Sequence, residues 1–126
     1  MRNLINLTNP NAPATPDDEA ALWVEAKAWL KLPPPRDSES GLRIFGAILR
    51  HTPDNFQAVI AYSNCMLREG RAEGALPVVS RARVINPQHP QGYLIAAKCH
   101  FKLKQPSEAI AVIEQMLAAG SIDNSF

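Results

Sequence analysis

The residues able to do chemistry are few and scattered. Two cysteines, Cys65 and Cys99, three histidines, His51, His89 and His100, and an acidic run, Asp17-Asp18-Glu19, are the candidates for nucleophile, base, metal ligand or acid pair. Cys99-His100 is the one Cys–His neighbour pair, but adjacent residues on a helix point about 100° apart, so thiol and imidazole cannot meet as nucleophile and base. His51 and His89 fall near turns in separate elements, where a solvated ring is expected. The acids sit at a helix start, where the macrodipole favours them, and are dipole partners rather than a general acid and base. No phosphate-cradling glycine loop, CxxC pair or HExxH motif occurs. The expectation is therefore a protein without catalysis, metal or cofactor.

The elements that carry these residues are set by a repeat. Pro53 recurs as Pro87, Gly41 as Ala75 and Ala109, Phe45 as Val79 and Ile113, and Ile48 as Ala82 and Met116, always 34 residues on. A period of that length made of two apolar helical stretches marks a helix-turn-helix array, here an all-α solenoid of three repeats and about six helices. Cys65 and Cys99 occupy the same place in successive repeats, where a small buried side chain is wanted, so both are expected to be reduced packing residues.

Thr15-Pro16 followed by three acids predicts a capped helix start, with Leu22, Trp23, Ala26 and Leu30 as its apolar face and Pro33-Pro34-Pro35 as its stop. Further helices are expected from about 38 to 51, 55 to 69, 72 to 85, 90 to 103 and 106 to 119. Gly70 closes one and Pro106 opens another. Pro77 lies inside the fourth and predicts a kink or a late start there. Residues 1–14 are expected to be a flexible tail, 15–120 the helical domain and 121–126 a short second tail. In the first tail, Leu4, Ile5 and Leu7 could also strap a groove of the same or a neighbouring molecule.

A net charge of +1 with 20% charged residues gives no global field for nucleic acid or an anionic membrane. No stretch is long and apolar enough to span a bilayer, and no signal core opens the chain, so a cytoplasmic location is expected.

The repeated set resembles the tetratricopeptide repeat, with its large residue at position 4, small residues at 8, 20 and 27, a large one at 24 and proline at 32. The second repeat supplies Val59, Ser63, Ala75, Val79, Ala82 and Pro87. The third supplies Tyr93, Ala97, Ala109, Ile113 and Met116, and the first fits from Trp23 with two residues inserted before Gly41. The small residues lie where paired helices cross at close range. A chain of three such repeats also resembles the type III secretion chaperones of tetratricopeptide type, which implies a protein or peptide partner such as an export substrate or small co-chaperone.

The resemblance implies that the first helix of each pair lines a concave groove. Its positions here are Gln57, Ile60, Asn64, Leu67 and Arg68, then Gln91, Leu94, Lys98, Phe101 and Lys102. The apolar members would form pockets, the amides would bond a ligand backbone, and the cations would meet an acid or chain terminus. Positions that clamp the acidic tails of heat-shock chaperones in one subclass hold Val24, Ala28, Ala61, Gln91 and Ile95, so that clamp is absent. The last helix ends with little sequence to cover it. Its Ile110, Ile113, Met116 and Leu117 are the expected surface for a homodimer or partner helix, the basis of an alternative structural role.

Overall fold

Each helix boundary follows from a local signal in the chain. A computed structural model describes residues 16–120, and the expected tails, the Thr15 cap and the Leu4–Leu7 cluster lie outside the described residues. The helices are α1 (Pro16–Leu30), α2 (Ser38–His51), α3 (Phe56–Arg68), α4 (Ala72–Ile85), α5 (Pro90–Lys102) and α6 (Pro106–Ala118). Among the described residues the architecture is all-α, a solenoid of three helix-turn-helix pairs in which each helix packs on the next and α3 also packs on α5.

Side chains satisfy free amides at the starts of α2, α3 and α5. Asp37 accepts from the Glu39 N–H at 3.1 Å to open α2, and Asn55 accepts from the Ala58 N–H at 3.0 Å to open α3. His89 does the same for α5, its Nδ1 accepting from the Gln91 N–H at 3.2 Å while its ring stacks 4.8 Å from Phe56. The ring expected in solvent is thus a cap pressed against the neighbouring repeat.

Gly70 closes the α3–α4 turn at φ +77°. Its counterpart 34 residues on is Lys104, which takes φ +62° in the α5–α6 turn. Every repeat turn of this shape needs a left-handed residue, and only the first has the residue suited to it.

Pro77 does not delay or divide its helix. α4 starts at Ala72 and runs through, so the proline stands past the first turn and deletes only its own donor toward Glu73.

The core forms two clusters. Ala26, Ile44, Phe45, Ile48 and Ala58 join the first repeat to α3, with Trp23 and Trp29 packed edge-on against Phe45 at 6.5 and 5.7 Å. A larger cluster from Val59 to Met116 unites the second and third repeats, and Leu49 borders both. Cys65 and Cys99 are free, buried thiols in this packing. Among the described residues no helix is long and apolar enough to cross a membrane.

Candidate functional site

The first helix of each pair faces one side of the array, and α1, α3 and α5 together wall a cleft of about 500 Å³. Its lining comes from Trp29 and Leu30 on α1, from Ala61, Asn64, Cys65, Leu67 and Arg68 on α3, from Gln91, Lys98 and Lys102 on α5, and from Arg36 in the loop before α2. The spacing on α5 explains its share. Gln91, Lys98 and Lys102 are seven and four residues apart and so fall on one stripe.

Of the ten groove positions expected from sequence, six line this cleft: Asn64, Leu67, Arg68, Gln91, Lys98 and Lys102. Gln57 is exposed outside it, and Ile60 is half-buried against the core. Leu94 and Phe101 also lie outside the lining, 38% and 53% exposed. They sit about 60–80° around α5 from the Gln91 stripe. Their counterparts one repeat earlier, Ile60 and Leu67, are packed against the core because α5 crosses α3 there. No described helix crosses α5 in the same way, so Leu94 and Phe101 stay exposed on the last described helix pair.

The last helix divides similarly. Ile110 and Leu117 are 54% and 56% exposed. Met116, expected on the exposed stripe, is instead 2% exposed in the core, and Ile113 packs against that core. Both face back onto the α5–α6 pair, because positions 24 and 27 of the repeat close the helix pair itself.

Five lining residues, Trp29, Leu30, Arg36, Ala61 and Cys65, were not among the expected groove positions, and Trp29 and Arg36 carry the most polar contacts. Trp29 donates its indole N–H to the Asp37 carbonyl at 2.9 Å. Arg36 lies over that ring, its Cζ 5.5 Å from the centroid, and its Nη2 donates to the Leu30 carbonyl at 3.0 Å while its Nε is buried without a partner. Both are adjacent to the insertion that breaks the 34-residue spacing. The triproline itself was the available signal, since a loop that ends α1 must bring the following residues over its last turn.

The cleft contains no activated nucleophile. Burial pushes the Cys65 thiol up to about 11, and the opposing pull of Arg68 is outweighed. Burial likewise raises Cys99, while the neighbouring His100 ring turns to Gln105, 2.8 Å away. A thiol held protonated is a packing group. No group of three His, Cys, Asp or Glu among the described residues could hold a metal.

A family model described as anaphase-promoting complex, cyclosome, subunit 3 matches residues 42–116. No curated protein matches the sequence. Among solved structures the chain is similar to the type III secretion translocator chaperone SycD of Yersinia enterocolitica, solved in an alternative dimer. The TM-score is 0.73 at 15% identity, covering 89% of this chain and 83% of that one, a likeness of fold.

Proposed function

Since the chain belongs to the family of anaphase-promoting complex, cyclosome, subunit 3, built of tetratricopeptide-type repeats, we propose that it holds a segment of a partner protein in its concave cleft. The finer reading is a cytoplasmic chaperone for a type III secretion component, which binds and does not catalyse. The observation that carries it is the cleft itself: amide groups of Asn64 and Gln91 stand beside the apolar walls of Trp29 and Leu67. Amides bond the backbone of an extended or helical segment, and apolar walls take its side chains. The likeness to SycD, a translocator chaperone, favours the secretion setting.

Co-purification of the tagged chain from its host, followed by size exclusion with light scattering, tests this. A small secreted protein bound at fixed stoichiometry and lost from an Asn64→Ala/Gln91→Ala variant is the expected result. Unchanged capture by that variant would sink it.

A second reading is favoured by the last described helix pair, where Leu94, Phe101, Ile110 and Leu117 are all exposed. There the chain would be a structural subunit that pairs through its last repeat, with a second copy or a partner helix. In that case Ile110→Lys/Leu117→Lys, and not the cleft variant, dissolves the assembly.

A further inference from the structure

The charged residues that line the cleft are all of one sign. Arg36, Arg68, Lys98 and Lys102 are four of the chain's 13 basic residues and line the cleft, whereas no acid among the described residues does. The chain as a whole carries only +1, so the cleft does not sample a generally basic surface. The ion pairs among the described residues join Arg43 to Glu25 and Arg81 to Asp54, and neither involves these four. Asp37 and Glu69 lie near enough to act on Cys65. The Asp37 carboxylate is occupied by the Glu39 N–H and, at 2.6 Å, by the Ser40 hydroxyl, and Glu69 is exposed outside the lining.

We propose that the cleft selects an acidic segment of a partner protein, with Asp or Glu carboxylates placed among Arg36, Arg68, Lys98 and Lys102 and apolar side chains against Trp29 and Leu67. This deepens the groove reading and rests on it. Lys98 and Lys102 are four residues apart on one helix face, an arrangement in which like charges repel. A carboxylate between them removes that repulsion and forms charge-assisted hydrogen bonds. Arg36 is already oriented by the Leu30 carbonyl and the Trp29 ring, so little further ordering is needed for it to meet an anion. The residues that clamp acidic tails elsewhere in the repeat superfamily are missing, and the cations of this site stand at other positions.

Charge also argues against the chain's own first residues as the occupant. Residues 1–15 contain Arg2 and no acid. Nucleic acid fits less well, because the cleft offers a single aromatic face and no row of stacking rings.

The test is selection of a random-sequence peptide display library on the full chain. Enriched peptides are then synthesised and titrated by fluorescence anisotropy beside analogues with Asp→Asn and Glu→Gln. Enrichment of Asp and Glu is expected, with the analogue and the Lys98→Gln/Lys102→Gln variant each weakening binding about tenfold or more. Both lysines are exposed, so circular dichroism of that variant should match the parent. Enrichment of neutral apolar peptides sensitive to Asn64→Ala/Gln91→Ala would overturn the acidic assignment while keeping the groove. Absence of any enriched peptide would overturn both, and displacement of the acidic peptide by poly(U) at equal charge would reassign the site to nucleic acid.

Discussion

Replacing Gly41 with alanine should destabilise the protein, although the same change in an open helix stabilises. Gly41 lies in α2 at the close crossing with α1 and α3. A Cβ there would stand 2.5 Å from Cys65 Sγ and 2.8 Å from Trp29 Cζ2, well inside the 3.5–4.0 Å of a relaxed contact, roughly, between heavy atoms. Neither neighbour can retreat easily. Trp29 is fixed by its hydrogen bond to Asp37, by Phe45 at 5.7 Å and by Arg36 above it, and Cys65 is 2% exposed.

Removing a helical glycine gains about 1 kcal/mol, and overpacking a tight site costs about 1–3 kcal/mol for one intruding group. With two clashes the upper part of that range applies, leaving a net loss of about 1–2 kcal/mol and a melting point lower by about 5 °C or more. Urea denaturation followed by circular dichroism measures this directly. Gly74→Ala is the control, because its Cβ meets only the flexible Met66 methyl at 3.0 Å, and it should show most of the helix gain. Cys65→Ala removes the nearer obstacle, so Gly41→Ala should cost about 1 kcal/mol less in that background. If Gly41→Ala stabilises as much as Gly74→Ala, the close crossing inferred for position 20 of the repeat is wrong.

Lys104→Gly should stabilise by about 0.5–1 kcal/mol, measured by the same denaturation, because the left-handed turn residue then matches its Gly70 counterpart. Met116→Ala should cost about 2–4 kcal/mol by opening a core cavity, whereas Leu117→Lys, one residue on, should leave the melting point within about 1–2 °C. Equal effects at the two positions would place the last helix in a different rotation.

The helices were legible because punctuation and periodicity agree along the chain. Pro33-Pro34-Pro35, Pro53, Gly70 and Pro87 mark boundaries where the 34-residue pattern also changes face, so independent physical signals coincide. The cleft was legible where register holds, on α3 and α5. It was hidden at Trp29 and Arg36, because a two-residue insertion there shifts every family position. The face of α5 was harder still. Leu94 and Phe101 look like groove residues by position, yet whether such a residue is covered depends on the next helix along the array, which single-repeat reasoning does not see. Met116 failed for the converse reason: an apolar stripe on a terminal helix has an inward and an outward edge, and hydrophobicity alone does not separate Met116 from Leu117.

The two tryptophans of the chain, Trp23 and Trp29, both lie on α1, and both indoles rest on Phe45. Tryptophan fluorescence, excited selectively over Tyr62 and Tyr93, is therefore a signal of the first repeat alone, while helical ellipticity averages over all three. In an array held together by neighbour contacts, the two signals separate whenever one end opens before the other. Trp29 also lines the cleft, with a guanidinium over its ring, so a segment entering that space alters the emission without any label being attached.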